Sequence, residues 1–267
     1  MTEKISVVIT GAAGRMGREV IKAVLREEDM RIVGAVDSRE VGVDAGTLVG
    51  QKPCGVVITN NLQEVLANTK ADVLVDFTNP EAAVANGITA LNNGVIPIIG
   101  TTGIEDVEIE ELKKAADKAG LGVLIAPNFA IGAILMMDFS RRAARYFKHV
   151  EIIEMHHDQK LDAPSGTSLK TAQMILEERP EMRQGHPNEF EKIKGVRGGE
   201  VAGIRIHSVR LPGLVAHQEV IFGGLGQVLT IRHDSLSRES FMPGVIYAIR
   251  KAKELKGVVV GLEKILD

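Results

Sequence analysis

Apolar residues gather in short runs at 5–9, 32–36, 56–58, 73–77, 95–99 and 123–126, lengths that suit buried strands better than helices. Between most of these runs apolar positions recur every three to four residues, at 16–26, 80–92 and 105–118. The last of these segments carries one apolar stripe with charges elsewhere, the pattern of a helix lying on a core. Strand and helix therefore alternate. That alternation predicts parallel strands joined by right-handed crossovers, with helices on both faces of a doubly wound sheet.

After about residue 130 the rhythm changes. A helical stretch at 131–147 leads to a strand at 150–155, a Pro/Ser/Gly turn and another helix. Residues 179–200 are polar and glycine-bearing, which reads as a mobile functional loop. Three strands follow at 203–209, 216–222 and 228–232, and glycine turns such as Gly223-Gly224 suggest an antiparallel or mixed sheet. A last helix at 239–253 carries Phe241, Val245, Ile246 and Ile249 and needs a surface to lie on. The expected organisation is an α/β N-terminal domain at 1–129, completed by 238–267, and an α+β domain at 130–237.

Composition narrows the function. With 45% hydrophobic residues the 267-residue chain can bury two cores, and 28 glycines suit repeated strand-to-helix turns. A net charge of −3 with both signs interspersed gives no footprint for nucleic acid or an anionic membrane, so a small-molecule partner is expected. The single cysteine, Cys54, cannot form an intramolecular disulfide and has no base beside it. No signal-like segment opens the chain, and the apolar run at 129–137 is about half a membrane span. A cytoplasmic protein is expected.

The first apolar run ends in Thr10-Gly11-Ala12-Ala13-Gly14-Arg15-Met16-Gly17. Its GxxGxxG spacing departs by one residue from the dinucleotide fingerprint GxGxxG. The physics survives the shift: a turn without side chains lets a pyrophosphate reach N–H groups at a helix start, where the dipole favours negative charge. Arg15 can add a phosphate contact. The second strand is followed by Asp37, twenty residues beyond Gly17, where a carboxylate can accept from adenosine ribose hydroxyls. A Rossmann domain binding a nicotinamide dinucleotide follows. Asp37 favours NADH, whereas Arg39 can answer a 2′-phosphate and keeps NADPH in play. Later strand ends should face the same crevice, which brings in Gly100, Thr101 and Thr102, and then Ala126, Pro127, Asn128 and Phe129, at the nicotinamide end.

Residues 154–167, EMHHDQKLDAPSGT, pack titratable groups into a strand end and turn. A metal site is the rival reading for His156, His157 and Asp158, but adjacent strand residues point to opposite faces and no Cys or HExxH partner exists. No metal is expected. His149, His186, His207, His217 and His233 read as surface or satisfied residues. Ser165 is placed to cap a helix whose first N–H groups, at Gly166 and Thr167, can hold a carboxylate. A nicotinamide domain joined to such groups implies hydride transfer to a small acidic molecule.

The GxxGRMG start, the VDFT, GTTG and APNF segments and EMHHDQKLDAPSGT together resemble 4-hydroxy-tetrahydrodipicolinate reductase, formerly dihydrodipicolinate reductase, of diaminopimelate and lysine biosynthesis. The resemblance spans essentially the whole chain. It implies His156 as general acid/base, Lys160 as proton donor, His157, Ser165, Gly166 and Thr167 as contacts of a dicarboxylate substrate, and Gly11, Ala12, Ala13, Gly14, Arg15, Met16, Asp37, Gly100, Thr101, Thr102 and 126–129 as cofactor contacts. It also implies an open sheet in the second domain that builds a homotetramer. Where certain relatives set a basic residue directly after the acidic one, this chain has Ser38, with Arg39 a step further. Two other functions stay open at this stage, a Rossmann dehydrogenase for an amino acid or aldehyde acid and a regulator that binds NAD without turnover.

Overall fold

The computed structural model describes residues 3–266. It divides into two compact units, Met1–Phe129 with Phe241–Asp267, and Ala130–Ser240.

The first unit runs β1 (Ile5–Thr10), α1 (Arg15–Arg26), β2 (Met30–Val36), α2 (Ala45–Leu48), β3 (Ile58–Thr59), α3 (Leu62–Asn68), β4 (Val73–Asp76), α4 (Pro80–Asn92), β5 (Ile96–Ile99), α5 (Asp106–Ala119) and β6 (Val123–Ile125). The second holds α6 (Ile131–Ala143), β7 (His149–His156), α7 (Gly166–Glu178), β8 (Gly199–Val201), β9 (Ile204–Arg210), β10 (Ala216–Gly224) and β11 (Gln227–Ser235). The chain then returns to the first unit with α8 (Met242–Lys251) and β12 (Val258–Val260).

Seven parallel strands in the order β12-β6-β5-β4-β1-β2-β3 make the first sheet. The order reverses beside β1, the switch point that opens a crevice beyond the strand ends. Val7, Val8 and Ile9 of β1 and all of β4 are buried, as strands with helices on both faces must be. Asn61 and Asn79 cap α3 and α4 by accepting from Glu64 N and Ala82 N, and Pro80 opens α4 where its missing N–H costs nothing. Leu112 and Ala116 of α5 pack with Ala83, Val84 and Leu91 of α4 and with Ile99.

The second sheet has the order β11-β10-β7-β9-β8. It is mixed, with β7 parallel to β9 and antiparallel to β10. One face, with Val150 and Ile152 of β7 and Val220 and Phe222 of β10, is buried. Ile153, Met155 and Ile221 on the opposite face are half-buried, and Val228 is exposed.

Several boundaries differ from the sequence pattern for local reasons. The run at 56–58 supplies only Ile58 to β3, because Asp44 Oδ1 and Oδ2 draw the N–H groups of Cys54 and Gly55 into a loop and Val57 bridges to Asp44. Helix α6 stops at Ala143, where Arg145 N turns to Arg142 O in a tighter, three-residue bond. Gly223 and Gly224 lie inside β10, and the hairpin turn falls at Leu225-Gly226, with Gly226 at φ +70°. The segment at 179–200 is not polar loop throughout: Arg179 is 1% exposed and β8 begins at Gly199.

Candidate functional site

The crevice of the first unit is built by the turn after β1. Gly11 takes φ +71°, a conformation that excludes most side chains, and a Cβ on Gly17 would strike Gly11 O and Ala12 Cα. The turn therefore lies flat against the helix start. Three of its N–H groups are already engaged: Ala12 N donates to Val36 O (3.1 Å), Ala13 N to Asp37 Oδ2 (2.9 Å) and Gly14 N to Gly11 O (2.9 Å). The N–H groups left to an anion are those that open α1, at Arg15 and Met16. No acidic residue stands in that first turn to compete.

Asp37 follows β2 with its side chain 7% exposed. Its Oδ1 accepts from Arg39 N (2.9 Å) while Oδ2 holds Ala13 N, so one carboxylate fastens the end of β2 to the glycine turn. The Arg39 guanidinium is 68% exposed and reaches within 3.9 Å of the space above Gly14. Ser38 stands between them.

Beyond β4 and β5 lies a cleft of about 410 Å³, with Arg15 and Met16 at one side and Phe77, Thr78, Gly100, Thr101 and Thr102 around it. Ala126, Pro127, Asn128 and Phe129 do not line it. Ala126 N pairs with Ile99 O (2.9 Å), and Phe129, 2% exposed, packs on Phe77 with ring centroids 5.7 Å apart. Phe129 thus acts through the crevice wall. A flat turn of glycine and alanine, free N–H groups at a helix start and a carboxylate after β2 fit a dinucleotide.

The second unit holds the acid/base cluster. Strand β7 ends at His156, whose Nδ1 lies 2.5 Å from Glu154 Oε2 on the same strand. Glu154 is fully buried. Arg210, at the end of the parallel neighbour β9, grips both its oxygens at 2.8 and 2.9 Å and also donates through Nη2 to Asp162 O (2.7 Å). Burial alone would raise the Glu154 carboxyl. The hydrogen bonds from His156 and Arg210 outweigh that and bring it from the usual 4.5 down to about 2. An ionised carboxylate only accepts, so His156 carries its proton on Nδ1 and is left with Nε2 for chemistry. Sequence reasoning missed Glu154 and Arg210 as a working pair.

His157 is exposed just past the strand. Lys160 donates to both oxygens of Asp162 at 2.6 and 2.9 Å, a bond that holds the Asp162 carboxyl below its usual range. An ammonium has three donors, so one stays available.

Ser165 caps α7, accepting from Ser168 N (3.3 Å), with its Oγ also 2.8 Å from Ser168 Oγ. Its hydroxyl is engaged as the cap. Ser168 Oγ donates to Gln218 Oε1 (2.8 Å) and Gln218 Nε2 to Thr171 Oγ1 (2.7 Å), a buried network that ties the helix start to β10. Gly166 has no unusual φ, and a Cβ there would meet nothing within 4 Å. Nothing inside the protein demands glycine at this position. Among the described residues no group of three or more His, Cys, Asp or Glu is placed to hold a metal ion, and no helix is long and apolar enough to cross a membrane.

Two family models match in succession, "Dihydrodipicolinate reductase, N-terminus" over residues 5–129 and "Dihydrodipicolinate reductase, C-terminus" over residues 132–266. The chain belongs to the dihydrodipicolinate reductase family. It is 58% identical to a 4-hydroxy-tetrahydrodipicolinate reductase of Desulfitobacterium hafniense over 99% of this chain and 100% of the relative. Its identity to the enzyme of that name from Moorella thermoacetica is 55%, covering 100% of both chains. A dipicolinate-bound dihydrodipicolinate reductase from Paenisporosarcina sp. TG-14 superposes with a TM-score of 0.89 at 49% identity, covering 98% of this chain and 100% of that one. Membership of the dihydrodipicolinate reductase family makes the protein an oxidoreductase that uses a nicotinamide cofactor.

Proposed function

We propose that the chain reduces 4-hydroxy-tetrahydrodipicolinate to tetrahydrodipicolinate with NADH or NADPH, in diaminopimelate and lysine biosynthesis, with His156 and Lys160 handling the protons. The end of β7 carries this reading: a buried Glu154 holds His156 at Nδ1 and, through Arg210, ties that strand end to Asp162 in the turn whose Lys160 donates to the Asp162 carboxylate. The balance is one hydride and one proton in, one water out. The reduced nicotinamide, when bound, supplies the hydride.

The protein's own residues do the rest. His156, held at Nδ1, exchanges a proton at Nε2 as general acid/base. The Lys160 ammonium neutralises developing negative charge on the ring and then donates its proton. The N–H groups of Gly166 and Thr167, with the Thr167 hydroxyl, grip one substrate carboxylate and His157 contacts the substrate, while Ser165 holds that helix start in shape. Dipicolinate, carried by the solved relative, is a ring dicarboxylate of the kind such a cradle would take.

On the cofactor side, Arg15 and Met16 N–H would meet the pyrophosphate, with Gly11, Ala12, Ala13 and Gly14 giving it room. Asp37 would meet the ribose, and Arg39 a 2′-phosphate where one is present. Gly100, Thr101 and Thr102, backed by 126–129, would take the nicotinamide end. The half-buried sheet face with Ile153, Met155 and Ile221, flanked by exposed Val228, supports assembly through that face into a homotetramer. A cytoplasmic enzyme fits a chain whose one cysteine has no partner.

Gly166→Ala tests the carboxylate cradle. The added methyl meets open space within the protein, so thermal stability should stay within about 0.5 kcal/mol of wild type. Substrate KM should rise about tenfold, since a ligand gripped by N–H groups at that spot loses close approach. An unchanged KM would remove Gly166 from substrate binding.

A further inference from the structure

The cofactor crevice contains a charged group that the reaction above leaves without a part. Asp76 ends β4 and is fully buried. Its Oδ2 accepts from Thr10 Oγ1 (2.5 Å) and Asn86 Nδ2 (2.8 Å). Its Oδ1 accepts from Thr78 N (3.0 Å), Thr78 Oγ1 (2.7 Å) and Thr101 Oγ1 (3.2 Å). All five donors are neutral. Burying a carboxylate is costly unless donors surround it, and these donors come from β1, α4 and the two loops that line the cleft.

A carboxylate accepts and never donates. The hydroxyl protons of Thr78 and Thr101 are therefore turned toward Asp76, and each hydroxyl can show the cleft only lone pairs. The second acceptor near Thr78 Oγ1, Asn79 O at 3.4 Å, would leave the same polarity. Both threonines line the cleft.

What sits there follows from strand order, and this step rests on the nicotinamide reading above. A dinucleotide crosses the strand ends, with its adenosine at Asp37 beyond β2 and its pyrophosphate at the start of α1 beyond β1. The ends of β4 and β5 on the other side of β1 fall to the nicotinamide nucleoside. Its carboxamide offers two N–H donors, and two acceptors face it. We propose that Asp76 is a positioning residue that makes Thr78 and Thr101 obligate acceptors, and that these two hydroxyls read the carboxamide N–H₂ of the cofactor.

Equilibrium binding tests this without turnover. Calorimetric titration of the full chain compares NADH with reduced 3-acetylpyridine adenine dinucleotide, whose methyl ketone keeps the carbonyl and loses both N–H donors. Wild type should prefer NADH by about tenfold, the usual cost of leaving designated polar partners unmet. In Asp76→Ala the hydroxyls turn freely, and the preference should fall to within about twofold even where both affinities drop. Asp76→Asn should keep the preference. The Thr78 N–H cannot reverse, so it holds the amide oxygen on its own side and leaves the new N–H₂ facing Thr10 and Asn86, whose groups can both turn round. Thr78→Val and Thr101→Val should each reduce the preference with Asp76 in place, which keeps the proposal testable if Asp76→Ala does not fold.

A carboxylate that only braced the fold would weaken both dinucleotides alike. A wild-type preference ratio in Asp76→Ala, or in both valine variants, overturns the proposal, as does a wild type that binds the two dinucleotides equally. A wild type that binds neither overturns the cofactor reading beneath it.

Discussion

Lys160→Ala is expected to lower kcat by about 10²–10⁴-fold, the range lost when a positioned proton donor is removed, while NADH binding stays within about twofold of wild type. The lysine belongs to the second unit, and its ammonium is fastened to Asp162 within the 157–165 turn rather than to any cofactor-loop residue. His156→Ala should behave in the same way. A NADH titration beside steady-state kinetics separates the two effects. Unchanged turnover in both variants would take the proton chemistry away from this turn.

The second large effect is on stability and comes from Glu154. Glu154→Ala leaves the Arg210 guanidinium, its side chain 18% exposed, without the fully buried carboxylate it grips, and breaking such a pair costs roughly 3–5 kcal/mol. That corresponds to a fall of about 10 °C in Tm for a chain of this size. Differential scanning calorimetry reads it directly, and a shift under about 2 °C would contradict the pairing.

The pH dependence has a definite sign. The folded carboxyl sits near 2, below its usual 4.5. Its stabilisation is therefore complete above about pH 4.5 and is lost as pH falls toward 2, a change of about 3 kcal/mol. Glu154→Ala should flatten that part of the acid-stability curve. A double replacement, Glu154→Met with Arg210→Met, separates support from positioning. Removing both charges should recover much of the stability without recovering turnover, because His156 Nδ1 then has no carboxylate to hold it.

The fold class was legible because its signal is local. Runs such as 95–99 and 123–126 are apolar without alternation, which is what strands covered on both faces require. Short elements escaped: α3 spans seven residues, barely two turns, and β12 is three valines near the C-terminus. Both are fixed by what they pack on rather than by their own period.

The candidate site divides along the same line. The glycine turn, Asp37 and the 154–167 segment are contiguous or regularly spaced, so their chemistry shows in the sequence. Glu154 pairs with Arg210 across 56 residues, and Asp76 with Thr10 across 66. Nothing in local spacing announces either contact. Asp37 was legible as an acid after β2, but its grip on Ala13 N was not. That bond takes Ala13 N, while Val36 O takes Ala12 N and Gly11 O takes Gly14 N, so the N–H groups left to an anion are those that open α1.

The reductase reaction with a nicotinamide cofactor is what membership of this family assigns to the chain. Its most direct test feeds the purified protein the condensation product of aspartate semialdehyde and pyruvate, formed in the cuvette, and follows NADH or NADPH absorbance. Oxidation of at least one cofactor is expected, strictly dependent on that product and matched one for one by product reduced. A folded, NADH-binding protein that oxidises neither cofactor above background would contradict it.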